Sequence, residues 1–376
     1  MLLFRLNKVW ITTVIVAAFV AGIGGCATTP PAPKKIHLVW PPAPQQARIR
    51  FVRSIYGEED LKHDTTFSQN LHNFLAGEKP KLTDIAQPMG LAVSDDGKRL
   101  YVADFAQSAV FIFDFAKQHF SKIPRLERPV GLALDGKGNL YVVEQEKKGV
   151  SVFDPEGKRL RFFTDPSVQR PTGIAIDRQH NKIYVVDSSH TKSADHSVKI
   201  FNPEGKLIGK LGKGKGGAAG YFMFPTYVAV DDKGNVYVTD TLNSRVQMFD
   251  VDGHYVKSFG KRGNGWGMFD KPKGVALDSF GNLYVADSGW SNVQIFNSKG
   301  QVLLFFGGRG PIPGMLKNPT AMVIDKNNRI YVADYINHRI EEYELVNTAA
   351  ADSFVSATDT QKSDAANKKE TGAISP

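Results

Sequence analysis

One pattern recurs six times between residues 88 and 345, and it restricts the chain to very few architectures. In its clearest copy, residues 272–307, four short apolar runs follow one another as GVALD, NLYVAD, NVQIF and QVLLFFG. Turn residues separate them at 278–281, 288–291 and 297–300. Short runs rich in Val, Tyr, Phe and Ile, punctuated by Asp, Asn, Ser and Gly, predict antiparallel strands joined by tight turns. One such meander cannot bury both faces of its sheet, so it needs neighbours like itself.

The chain supplies them. Pro88, Pro129, Pro171, Pro225, Pro272 and Pro319 open the units. Second strands follow as LYVAD at 100–104, LYVVE at 140–144, IYVVD at 183–187, VYVTD at 236–240, LYVAD at 283–287 and IYVAD at 330–334. A period of about forty to fifty residues with four strands per unit indicates propeller blades. A solenoid is the alternative and needs capping repeats at both ends. The sixth unit stops after its third strand, at 340–345, while a surplus strand, RIRFVRSIYG at 48–57, precedes the first unit. That segment has the form of the fourth strands KLIGKLG, YVKSFG and VLLFFG. A ring that completes its last blade with an N-terminal strand leaves no sheet edge open at the seam. The expected fold class is all-β, a six-bladed β-propeller over 48–345 built of four-stranded antiparallel blades.

These units resemble the NHL repeat, which runs from Pro-x-Gly through Asp-x-x-Gly-Asn-x-Tyr-Val-x-Asp to Asn-x-Arg-Val/Ile-x-x-Phe. The fourth unit carries Asp231, Gly234, Asn235, Tyr237, Asp240, Asn243, Arg245 and Phe249. The sixth keeps Asp325, Tyr331, Asp334, Asn337, Arg339 and Tyr343. Units one and two lack Asn-x-Arg, and Tyr227 and Ala321 replace the glycine after the opening proline. The resemblance implies the propeller fold; the repeat serves many functions and specifies none of them.

The flanks read as an address. Residues 1–25 place Arg5 and Lys8 before an apolar run from 9 to 23, the layout of an export signal. The run is shorter than the roughly 20 apolar residues that span a bilayer. Ile23-Gly24-Gly25-Cys26 resembles the bacterial lipobox, which implies acylation of Cys26, the sole cysteine of the chain. A lone cysteine also excludes an internal disulfide. Acyl chains contribute about 0.8 kcal/mol per buried methylene, so two or three hold a protein firmly on a bilayer. Ala27 in place of Asp implies, by resemblance to Gram-negative lipoproteins, delivery to the outer membrane facing the periplasm. Residues 26–47 are Pro-rich and predict an extended tether. Within the 58–87 connection, Phe67, Leu71, Phe74 and Leu75 share one helical face, which predicts one accessory helix. Residues 346–376 are polar and predict a disordered tail.

Net charge is +9 and falls by two if Arg5 and Lys8 are removed, with no block of basic residues. That balance and export argue against nucleic acid as a partner. No nucleotide or serine-hydrolase motif is present. In a propeller, an active site is expected at the upper mouth of the channel. Six-bladed relatives that hydrolyse lactones or phosphoesters hold calcium there with acidic side chains. Here the residues after the opening prolines are Met89, Val130, Thr172, Thr226, Lys273 and Thr320, with no carboxylate. The recurrent acids at the ends of first and second strands read as structural, because catalysis needs one site rather than six. His190 and His196, with Asp195, are weak metal candidates in a blade-three insertion. Peptide-amidating lyases resemble NHL propellers and use several histidines around zinc, but outside that insertion His338 is the only histidine in a second-to-third turn.

The long Gly-rich connectors into blades four to six end in apolar residues, of which Phe222, Phe269 and Leu316 are expected to plug the gaps between blades. Candidate partner-binding residues are Trp290, Tyr335, Arg245, Arg339, His338, Trp266, Tyr227 and Phe105, with Lys213, Lys215, Arg262 and Arg309 adding positive charge. The expected function is a membrane-anchored binding or scaffold lipoprotein that recognises an envelope protein or polysaccharide. No cofactor is implied. The alternative is a metal-dependent lyase or hydrolase at the channel mouth.

Overall fold

A computed structural model of the chain describes residues 37–61 and 83–346. The signal segment, Cys26, the expected helix around Phe67 and the tail from 347 lie outside the described residues. Within them the chain is a six-bladed β-propeller. The inner strands are Pro88–Val93, Pro129–Leu134, Pro171–Asp177, Pro225–Val230, Pro272–Leu277 and Pro319–Ile324. Each begins at the proline that marks its repeat. Antiparallel second, third and fourth strands follow outward in each blade, and the turns between second and third strands share the upper face with the connectors between blades.

The seam closes as expected. Ile49–Ile55 pairs antiparallel with Arg339–Leu345, from Ile49 opposite Leu345 to Ile55 opposite Ile340. The expected tether over 26–47 ends earlier than composition suggested. Val39–Trp40 adds a fifth strand outside Ile49–Ile55. Trp40 packs on Phe306 and Tyr343, with ring centroids 6.0 and 5.8 Å away. An apolar pair, Val39 and Trp40, inside a Pro-rich stretch was the signal for this.

Hydrophobic residues of adjacent blades form six clusters, one at each blade-to-blade interface. The second strands are buried along nearly their whole length, which is why they read as near-continuous apolar runs. Burying each Val, Leu or Phe stabilises the fold by about 1.5–3 kcal/mol. Phe222, Phe269 and Leu316 are fully buried and fill the expected gaps. Near the axis, inner strands approach so closely that a Cβ on Gly90 would stand 2.5 Å from Val130 O and one on Gly173 2.6 Å from Thr226 O. At Gly90, Gly131, Gly173 and Gly274 glycine is therefore a steric requirement, while blades four and six carry Tyr227 and Ala321 at this position.

At the seam, Glu341 occupies the position that Gln247 and Gln294 hold in blades four and five. In all three, the side-chain Oε1 accepts a connector N–H, from Gly220, Gly267 or Gly314. Glu341 also accepts from Ser54 Oγ of the closing strand at 2.6 Å and pairs with Arg339 at 2.6 Å. Burial pushes its pKa up from 4.5 to about 7 despite the opposing hydrogen bond from Ser54 and the charge of Arg339. A raised folded-state pKa means that this group favours folding most when protonated. Its contribution is complete below pH 4.5 and is lost as pH rises through about 7. Relative to a Glu341→Gln variant, wild-type protein is expected to lose stability across that window, by up to about 3 kcal/mol. Urea denaturation of both proteins at several pH values checks this, and a wild-type-to-variant difference that does not change with pH contradicts it.

Candidate functional site

The repeated acids are used in construction. Asp135, Asp231 and Asp278 each accept two backbone N–H groups of the turn between first and second strands. The following Asn donates to the same carboxylate, at 2.7, 2.8 and 2.9 Å. The acids ending the second strands are fully buried and hold the connectors. Asp104, Glu144, Asp187, Asp240, Asp287 and Asp334 each accept N–H groups from the connector leading into their own blade.

Arg245 and Arg339, candidates for a binding surface, pair instead with neighbouring acids and serve the same purpose. Arg245 Nε lies 2.9 Å from Asp240, and its Nη2 donates to Ala218 O and Tyr221 O at 2.8 and 3.0 Å. Arg339 lies 2.6 Å from Glu341 and donates to Pro311 O, Ile312 O and Met315 O. Their donors are turned inward, which leaves little for a partner to bind. Lys215, Arg262 and Arg309 recur at intervals of 47 residues. Each reaches back to a carbonyl in the turn of the preceding blade: Thr191 O, Leu242 O and Gly289 O, at 2.6, 2.8 and 2.8 Å. These contacts fix the three side chains over the connectors without neutralising their charge.

Trp290 has a counterpart in the neighbouring repeats. It stands where blades four and six have Asn243 and Asn337, which donate to Gly216 O and Gly310 O at 2.9 Å. The Trp290 indole N–H donates to Gly263 O, the equivalent carbonyl, at 3.0 Å. The residue is nevertheless 43% exposed. His338 Nδ1 donates to Ala86 O and ties the blade-six turn to the connector entering blade one. Trp266 is 68% exposed and stands edge-on to Phe305, 5.0 Å away.

The histidines of the insertion do not assemble a metal centre. His196 is buried with its Nδ1 accepting the Phe224 N–H at 2.9 Å, and it belongs to no group of three ligand-type side chains at metal spacing among the described residues. Burial also lowers its pKa and keeps it neutral. His190 is exposed, and Asp195 is paired with Lys199 at 2.6 Å. Among the described residues the one cluster with metal-ligand spacing is Asp250, Asp252 and His254 in an outer turn.

What the inner strands leave open is a cup of about 410 Å³ at the upper mouth. Each inner strand has a register shift just after its proline, between Pro272 and Val275 for example. A bulge there re-aims one side chain per blade. Those side chains are Met89, Val130, Thr172, Thr226, Lys273 and Thr320, and all line the cup. Phe105 and Tyr335, both expected in a binding surface, complete its wall together with Phe224, Gln145, Arg170 and Asn318.

Tyr227 closes the floor. It replaces the glycine of blade four, and its hydroxyl crosses the axis to donate to Met89 O of blade one. It packs against clusters on both sides of the ring and separates the cup from a lower cavity of about 240 Å³. Burial holds its phenol well above the usual range. A glycine position filled by tyrosine was the legible sign, but its reach across the axis was not.

The sequence profile described as SMP-30/Gluconolactonase/LRE-like region matches residues 71–190, and the NHL repeat profile matches 222–249 and 316–343. Protein brain tumor of Drosophila melanogaster is 27% identical over 137 residues, and B-box type zinc finger protein ncl-1 of Caenorhabditis elegans is 33% identical over 135. Each alignment takes in 35% of this chain but only 12% and 15% of those relatives. Among solved structures, a streptogramin B lyase is similar with a TM-score of 0.53 at 11% identity, covering 69% of this chain and 94% of the other. An auxiliary nutrient binding protein from Bacteroides thetaiotaomicron gives 0.55 at 13% identity, covering 69% of each. Hydrazine synthase of Kuenenia stuttgartiensis gives 0.53 at 15%, covering 70% of this chain and 97% of the other. Likeness at these identities is likeness of fold.

Trp290→Asn should restore the side chain that the neighbouring blades use and keep denaturation stability near wild type. Trp290→Ala, which loses the donor to Gly263 O, should cost about 1 kcal/mol. Equal stability of the two variants would contradict the clamp.

Proposed function

We propose that this NHL-repeat six-bladed β-propeller is an exported binding module. It is acylated at Cys26, held on the outer membrane and turned toward the periplasm. Its upper face recognises an envelope protein or polysaccharide. The observation that carries the reading is a set of large apolar side chains in the upper turns and connectors of blades four to six that construction does not require. Leu242, Trp266, Ile312 and Ile336 are 42%, 68%, 55% and 40% exposed. At the positions of Leu242 and Ile336, blades one to three carry Ala106, Glu146 and Ser189. Exposed apolar groups of this size, aromatic ones above all, are the material of interaction surfaces. Neither carboxylate nor imidazole is among the described residues lining the cup, so the lyase or hydrolase alternative finds no ligand set there.

Two experiments test this reading. In the native host, Cys26→Ser should abolish incorporation of radiolabelled palmitate and move the protein out of the membrane fraction; retention with label contradicts the anchor. A Leu242→Ser, Trp266→Ser, Ile336→Ser triple variant should lose crosslinking to its envelope partner, or retention on isolated envelope polysaccharide, with its melting temperature little changed. Undiminished capture in both assays removes the upper face from the proposal.

A further inference from the structure

We infer that the cup at the upper mouth is a binding site for a small organic carboxylate carried on an aromatic or apolar body. Lys273 is its charge partner. This goes beyond the macromolecular recognition proposed above and does not depend on it.

Lys273 is the one charged residue among the six that the inner-strand bulges aim into the cup. It is half-buried and enters no ion pair among the described residues; its ammonium donates to Asn318 Oδ1 at 3.3 Å. The guanidinium groups of Arg245 and Arg339 on the upper face are paired with acids, Asp240 and Glu341, whereas the Lys273 ammonium is not. A desolvated ammonium without a counter-charge is costly, and burial, helped by the nearby charge of Lys271, lowers its pKa accordingly. An anion entering from solvent supplies the missing charge.

Most neutral donors of the lining are engaged within the protein, among them Gln145 Nε2 with Pro171 O and Thr172 Oγ1 with Val186 O. Thr320 Oγ1 donates to Pro88 O at 2.9 Å, and Thr226 Oγ1 lies 2.7 Å from Thr241 Oγ1. Lys273 and the exposed Arg170 therefore supply the positive charge, and the second lies on the opposite side of the ring, on the connector into blade three. The rest of the lining combines apolar Met89, Phe105, Val130 and Phe224 and the ring of Tyr335 with polar but uncharged Gln145, Thr172, Ser188 and Asn318. With Tyr227 closing the bottom, the space is a blind cup rather than a conduit. Its 410 Å³ lies within the roughly 300–1,000 Å³ that small-molecule pockets occupy. Two cations in a lining that is otherwise uncharged and rich in aromatic and apolar groups select a carboxylate attached to a ring or short hydrocarbon.

Calorimetric titration of the full lipidated chain in detergent tests this with three probes: phenylacetate, its uncharged isostere phenylacetamide, and inorganic phosphate. Phenylacetate should bind at one site and at least tenfold more tightly than either of the others. Lys273→Met should reduce phenylacetate binding at least tenfold, leave phenylacetamide binding unchanged and leave the melting temperature no lower than wild type. Arg170→Gln should reduce phenylacetate binding by a smaller factor. Equal affinity for acid and amide, tighter binding of phosphate, an acid preference that survives Lys273→Met, or no binding of phenylacetate each overturns the inference. None of these outcomes bears on the envelope partner.

Discussion

The upper face depends on one interaction, the hydrogen bonds from connector N–H groups to the buried acid that ends each second strand. The connectors are irregular backbone lying over a packed core, and their donors need acceptors. Asp104, Glu144, Asp187, Asp240, Asp287 and Asp334 supply them from beneath, each fully out of water. The cost of burying a carboxylate is met by several donors at once, four side-chain or backbone groups in the case of Asp240. Because the acids are committed this way, they cannot also define the mouth. Its electrostatics are left to the residues that the inner-strand bulges present.

The same commitment explains why the ring is uneven. Blades four to six enter through long glycine-rich connectors fastened at repeated points: a basic residue reaching back to the preceding turn, an Asn or Trp donating to a connector carbonyl, and a Gln or Glu accepting a connector N–H. Blades one and two lack the Asn-x-Arg part of this clasp. The clasps bring backbone loops out over the upper surface, and those loops carry Trp266 and Ile312. Construction and decoration are thus separable: the inward donors hold the loops, and the outward apolar groups are what the loops display.

Much of the architecture was legible in the chain. The six prolines, the surplus strand and the six second-strand acids each predicted a feature that the fold contains, because each answers a local need: a strand start, an unpaired edge, an unsatisfied turn. The site was less legible. Lys215, Arg262, Arg309 and Trp290 read as surface in the sequence, yet their donors reach carbonyls 20 to 27 residues away. Such contacts depend on how one blade's turn overlies the next connector, which no local pattern encodes.

By itself, the sequence determined the number of blades, the order of strands and the closure of the ring, since periodicity and turn chemistry act over a few residues at a time. Only the tertiary structure decided what lies at the axis. Six inner strands from distant parts of the chain converge there, and the identity of one residue per blade acquires meaning from the five facing it. Tyr227 becomes a floor because Met89 O stands across from it, 138 residues away in the chain. Lys273 becomes an unpaired cation because the five residues sharing its ring position are neutral. Convergence of that kind is a property of the closed ring, and the separate repeats do not contain it.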